Sequence, residues 1–267
     1  MVVRSLNPYT AIIMNHIKYT LITVVALFLS AATCAAQKTV DEDLSHLGNF
    51  DRIDASVGWD ITFTQSATTS IKVSYSEEVA DCVRMKVKNG RLILGLENQK
   101  NNNKPRKVIL KATVSAPSLS AIKVTTGAEV KFGTPLKLEG DLSINATTGA
   151  EVEGLALTAK GFNCHVTTGA SVEGMIDVAN ASLVCTTGSD IDLTGRASTA
   201  TLKCSTGADI SARGLVVQNG RCSASTAGDI SITIKKKAKV GASTGADINL
   251  YGKPQEIEGK IRGVNIR

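Results

Sequence analysis

The chain has 267 residues, 43% hydrophobic and 20% charged, with 23 Gly, 5 Pro, 6 Cys and 3 His, a globular composition and neither a disordered nor a collagenous one. One Trp, four Tyr and five Phe leave little aromatic filling, so a thin core of small or β-branched side chains is expected. The 30 Lys and Arg against 24 Asp and Glu are too mild a surplus to call for nucleic acid, and three histidines restrict proton chemistry near neutral pH.

From Met14 the chain runs through Lys18, an apolar stretch from Tyr19 to Ala32, and small residues at Cys34 and Ala36. This predicts a secretory signal peptide over residues 1–36, cut after Ala36, with Met14 reading as the better start. The apolar stretch is too short for a comfortable membrane span, so no transmembrane span is expected after cleavage. Cys34 sits where a lipidated cysteine would, but Ala31-Ala32-Thr33 is a poor match to the pattern that precedes one. Losing Arg4 and Lys18 with the leader leaves 28 basic and 24 acidic residues, net +4.

Residues 37–115 read as β structure. Alternation runs through Phe50 to Val57, Trp59 to Gln65 and Ile71 to Tyr75, and Met85 to Leu94 is a hairpin around Asn89-Gly90, the pair that a type I′ turn prefers. A polar loop follows from Asn98 to Lys107. The segment is expected to cap one end of what comes next.

Residues 116–252 hold a repeat. The phrase Thr-Gly-Ala-acid-Val/Ile begins at Thr126, Thr148, Thr168, Thr187, Thr206, Thr226 and Thr244, at spacings of 22, 20, 19, 19, 20 and 18 residues. A period near 20 predicts a solenoid and not a sandwich. Around each copy the pattern has period two, so each unit is a strand, a tight corner and a second strand.

Three inward columns follow. Ile122, Ile144, Cys164, Leu183, Leu202, Cys222 and Val240 lie four residues before the repeat Thr. Val124, Ala146, Val166, Cys185, Cys204, Ala224 and Ala242 lie two before it, and Val130, Val152, Val172, Ile191, Ile210, Ile230 and Ile248 four after. Glycine after the Thr supplies positive φ, and the exchange at Ala227-Gly228 predicts a corner shifted by one residue. The expected fold is an all-β, right-handed, parallel β-helix-like solenoid of about seven short coils with an N-terminal β cap. Residues 253–267 form a tail over the far end.

The cysteines that remain after the leader, Cys82, Cys164, Cys185, Cys204 and Cys222, are odd in number and lack a CxxC pair, against a disulfide framework or a zinc site. Cys185 and Cys204 share a column on neighbouring coils, within reach of a disulfide, although stacked side chains point the same way.

Three residues after each repeat Thr stand Glu129, Glu151, Ser171, Asp190, Asp209, Asp229 and Asp247. Carboxylates stacked about 5 Å apart repel by about 1 kcal/mol in water. Calcium bound along Glu129, Glu151, Asp190, Asp209, Asp229 and Asp247 is one way to offset this. The other is that each acid bonds the backbone N–H groups of its own corner and splays into water, and the calcium-binding Gly-Gly-x-Gly-x-Asp repeat is absent. Thr125, Thr147, Thr167, Thr186, Ser205, Ser225 and Ser243 form a hydroxyl column, either structural or a flat ladder for a repetitive surface. Lys235-Lys236-Lys237 with Lys239 reads as a solvated loop blunting a sheet edge. No catalytic residue is expected: His46 and His165 are the histidines left, His165 points outward, and no nucleophile constellation accompanies it.

The leader, the Phe50-x-x-Ile53 start, the hairpin ending Asn89-Gly90-Arg91-Leu92-Ile93 and the tandem coils together resemble the family called putative auto-transporter adhesin, head GIN domain, over about residues 50–250. The resemblance implies an exported parallel β-helix-like protein of Gram-negative bacteria with no established enzymatic residues. The expected function is non-enzymatic adhesion or interaction at the cell envelope, in the periplasm, on the outer-membrane surface or outside the cell. The expected partner is a surface or envelope ligand, glycan or protein. The competing class is a polysaccharide-acting or cation-dependent enzyme on the same scaffold, which requires a cleft with convergent acids.

Overall fold

The computed structural model describes residues 38–97 and 108–267. The expected signal peptide, Cys34 and the loop from Asn98 to Lys107 lie outside the described residues. Among the described residues, 19 strands join in one hydrogen-bonded network, accompanied by two short 3-10 turns at Ser45–Leu47 and Glu77–Val79.

The repeat folds as a β-solenoid. Each coil carries a leading strand that enters the Thr-Gly corner and a trailing strand that leaves it, and both pair in parallel with their counterparts on the next coil. Ser171–Thr186 and Asp190–Ser205 match without a register shift, Val172 on Ile191 and Cys185 on Cys204. Unequal spacings are absorbed as irregularities far from the corner. The offset of 20 at Val152↔Val172 becomes 19 at Leu155↔Gly174, because the register shifts between them. The inward columns are buried almost throughout, Ala242 alone being half-buried, and they form one core of Ile, Val, Leu, Ala and Cys. Pairing β-branched residues across a stacked sheet favours this.

The corner itself has two left-handed residues. All seven repeat threonines have φ between 50° and 60°, and the residue after each is also left-handed. A β-branched residue there costs about 1–2 kcal/mol. Hydrogen bonds between coils offset it, since the ladder continues around the bend: Gly149 N donates to Thr168 O at 3.0 Å, Gly169 N to Thr187 O at 3.2 Å and Ala227 N to Thr244 O at 3.1 Å. Each contributes about 1 kcal/mol.

The Ala227-Gly228 exchange does not shift the corner. Ala227 takes the left-handed place at φ 57°, and Gly228 takes the inward place that alanine holds elsewhere. A Cβ at 228 would stand 2.7 Å from the Cys204 carbonyl carbon, so close approach of the backbone excludes alanine.

The expected N-terminal cap also contributes a coil. Arg52–Ser56 pairs with Ala121–Thr125, and Asp60–Gln65 pairs with Glu129–Phe132. Between them Val57 (φ 62°) and Gly58 (φ 73°) repeat the Thr-Gly corner, with Gly58 N donating to Thr126 O at 3.1 Å and Glu129 N to Trp59 O at 2.7 Å. Trp59 stands where later coils have alanine and is fully buried, its indole N–H without a hydrogen-bond partner.

Beyond this coil the two sheets are extended separately. The hairpin Val83–Lys88/Arg91–Leu96 turns at left-handed Asn89 and Gly90 and lays Arg91–Leu96 on Arg52–Ser56. On the other side Leu110–Ala116, Ser70–Ser76 and Thr39–Asp43 follow Asp60–Gln65 in turn. At the far end, Glu256–Lys260 and Val264–Ile266 add a strand to each sheet.

Candidate functional site

Stacked corners make a ridge along the solenoid, with the repeat Thr and the residue after it exposed at every coil. The hydroxyl column beside it is partly self-bonded. Thr147 Oγ1 donates to Thr125 Oγ1 at 2.9 Å and Thr186 Oγ1 to Thr167 Oγ1 at 3.0 Å, with contacts of 3.3 Å to Thr126 and 3.2 Å to Thr168 in the same coils. Ser205, Ser225 and Ser243 continue the column without the methyl group. Ridge hydroxyls therefore both tie coils together and face solvent.

The acidic row lies on the trailing side of the ridge, and the register aligns Glu129, Glu151, Ser171, Asp190, Asp209, Asp229 and Asp247 as expected. Asp60 joins it, directly beside Glu129. Corner N–H groups do not serve these acids; at six corners from Val57-Gly58 to Thr206-Gly207, and again at Ala227, the left-handed residue's N–H donates to the carbonyl of the next coil. One further outward column on the same sheet holds Lys131, Glu153, Glu173 and Asp192. Glu129, Glu151 and Glu153 bring one carboxylate oxygen each within 4.8 Å of one another. The Lys131 ammonium occupies that neighbourhood, ion-paired with Glu129 and 3.4 Å from Glu153, and the hydrogen bond to Glu129 raises its pKa above the ordinary lysine value. Toward the middle of the row, Asp209 is pushed above the ordinary carboxylate value, first by burial and then by Asp190 and Asp229, against the lowering effect of the hydrogen bond from Ser211.

The leading side is the opposite. Its two outward columns on the seven Thr coils carry Lys123, Lys203, Arg221 and Lys239 among Asn145, Asn163, Ser143 and Ser182, and no carboxylate. The hairpin at the N-terminal end adds Lys86, Lys88 and Arg91 to the same sheet. Lys235-Lys236-Lys237 is not a loop: it lies inside the strand Asp229–Ala242, and Lys237 is paired with Glu256 at 3.0 Å and Glu258 at 2.6 Å. His165 is exposed on this face, in register between Asn145 and Val184. Sequence reasoning found the acids as a row but missed this sorting of charge. The signal was parity, since acids concentrate three and five residues after the Thr and cations three and five before it.

On the remaining side of the coils, Met175, Asp177, Arg196, Val216 and Gln218 line an open groove of about 680 Å³. Arg196 grips Asp177 there through two bonds of 2.8 and 2.6 Å, which hold the Asp177 carboxyl below its ordinary value. Cys164, Cys185, Cys204 and Cys222 are free thiols. Cys185 and Cys204 donate instead to carbonyls of their own corners, Ser189 O at 3.1 Å and Ala208 O at 3.0 Å. Burial pushes the Cys222 thiol up to about 12, and Cys164 is likewise raised.

The sequence pattern of the family described as putative auto-transporter adhesin, head GIN domain, matches residues 49–254. No curated protein matches the chain. Among solved structures, a putative adhesin from Parabacteroides merdae is similar at 18% identity and TM-score 0.74, over 86% of this chain and 94% of that one. A putative adhesin from Parabacteroides distasonis gives 19% and 0.76, over 86% and 97%. A putative lipid binding protein from the same organism gives 16% and 0.72, over 87% and 98%. At these identities the likeness is one of fold.

Proposed function

The chain belongs to the putative auto-transporter adhesin, head GIN domain family, and from that premise we propose an exported, non-enzymatic solenoid that holds a cell-surface or envelope ligand against its flat sides. The observation that carries the reading is the register of the residues flanking each corner, kept from Val57 to Thr244, which holds polar side chains in straight rows on two sheets and a ridge. Such rows suit an extended ligand, glycan or protein, more than a small molecule, which binds in a concave pocket. Asn, Ser and Thr on the leading face offer both donors and acceptors, the chemistry that sugar hydroxyls need.

The acidic row is read as surface and not as a calcium site, since Lys131 neutralises its tightest cluster. The test has two arms. Protease or antibody accessibility on intact cells should show the chain reachable from outside, and a glycan and protein array should return a ligand for the purified chain. Detectable polysaccharide cleavage would overturn the non-enzyme reading, and a chain sealed inside the envelope would overturn surface adhesion. A rise in melting temperature at about 5 mM calcium would contradict the reading of the acidic row.

A further inference from the structure

We propose that the acidic trailing face of one molecule docks on the basic leading face of a second copy, so that solenoids associate side by side. This stands apart from the search for a foreign ligand and concerns what the two faces do to each other.

Both faces repeat along the solenoid at the strand spacing, about 4.8 Å, and Lys203, Arg221 and Lys239 fall on consecutive coils, at the interval of the carboxylates across the ridge. The acids lack counter-charge in their own sheet over most of its length. Past Lys131, the two outward columns of the trailing face run from Glu151 to Asp247 without a cation. Asp209, in the middle of that run, is raised first by burial and then by its neighbours Asp190 and Asp229. Lys203, Arg221 and Lys239 stand on the opposite side of the ridge over the same coils; Lys203 and Arg221 have no acid beside them in those columns, and Lys239 stands next to Glu258 of the terminal strand.

A divalent cation would answer only the acidic face and a polyanion only the basic one. Further copies answer both, since a pair joined by one such contact still has one acidic and one basic face free. The contact is therefore heterologous and continues past a dimer. A face roughly 50 Å long and about 17 Å wide bounds the contact at roughly 800 Å² per copy. That is at most a standard interface, and it is held by exposed charges, so association should be weak and salt-sensitive.

Sedimentation velocity of the purified chain in about 20 mM and about 1 M NaCl tests this. At low salt the weight-average sedimentation coefficient should rise with concentration, and at high salt it should fall to the monomer value. Two charge-reversed variants sharpen the test: Asp190→Lys/Asp209→Lys/Asp229→Lys on one face and Lys203→Glu/Arg221→Glu/Lys239→Glu on the other. Each alone should weaken association at least about tenfold, equivalent to about 1.4 kcal/mol. Mixed with each other they should associate again, because one is now basic on both faces and the other acidic on both. The neutral set Asp190→Asn/Asp209→Asn/Asp229→Asn gives the same loss if reversal harms folding, which circular dichroism monitors.

A single monomeric species at every concentration in low salt overturns the proposal. So does association that survives about 1 M NaCl or both reversed variants. Monomers that bind heparin at the leading face, or calcium at the trailing one, would assign the faces to those ligands and overturn it as well.

Discussion

The coil that turns at Val57 and the coils that turn at threonine share one backbone and differ in what fills it. Both turn on two left-handed residues, both pass a hydrogen bond from the second to the next coil, and both place an acid three positions past the turn. In the later coils the inward place after the corner holds Ala128, Ala150, Ala170, Ser189, Ala208, Gly228 and Ala246. In the first it holds Trp59. The first coil has a sheet extension on each side, and Phe50, Trp59, Phe63, Tyr75 and Phe132 are all buried in that part of the core, Phe63 and Phe132 edge to face at 5.9 Å. Register is thus the invariant, and side-chain volume adapts to whether another regular coil follows.

The largest effect should come from making the first coil resemble the others. Trp59→Ala leaves a cavity and should cost about 3–5 kcal/mol, lowering the melting temperature by about 10 °C, whereas Trp59→Phe should cost much less because it also removes an unpartnered buried N–H. If Trp59→Ala melts like the wild type, the two regions do not differ as described. Next is the one irregular corner: Gly228→Ala, facing the backbone of Cys204, should cost about 1–3 kcal/mol, while Ala227→Gly should stabilise by up to about 1 kcal/mol by relieving a left-handed alanine. Urea melts of both variants decide it, and equal and opposite small changes would place the strain elsewhere.

A smaller effect belongs to the N-terminal edge. Tyr75 donates to Glu42, and that hydrogen bond, with burial, pushes the phenol up to about 12. The folded chain favours the neutral phenol, so the contribution is intact below the ordinary value near 10 and is lost as pH rises through about 12. Tyr75→Phe should lower the melting temperature by about 2–4 °C at pH 8 and the difference should close by about pH 12. The smallest change is expected at Asp209. Because the folded state favours its neutral form, its charge is a cost at pH 7 that is relieved as pH falls through the carboxylate range. Asp209→Asn should therefore raise the melting temperature by about 1–3 °C at low salt, and less in about 1 M NaCl.

The later coils were legible because a left-handed pair writes Gly into the sequence at a fixed period, and because the inward columns need β-branched or small residues beside it. The first coil was not. Val57 replaces Thr, Trp59 replaces Ala, and 69 residues separate Val57 from Thr126, so neither phrase nor period survives. The left-handed conformation of the repeat threonines was also hidden, since β-branched residues are the last expected there and only the bonds between coils explain them. The acidic row could be read residue by residue. Its pairing with a cation-bearing sheet required knowing that the strands on either side of the ridge keep their facing from end to end.

That continuity is tested most directly by amide hydrogen exchange. The account predicts that the Gly58 and Glu129 amides, which donate across the junction to Thr126 O and Trp59 O, are protected as strongly as Gly149 and Gly169 in the regular coils. Exchange at Gly58 and through 60–63 within seconds, with Gly149 and Gly169 still protected, would contradict it and return the N-terminal segment to a separate cap.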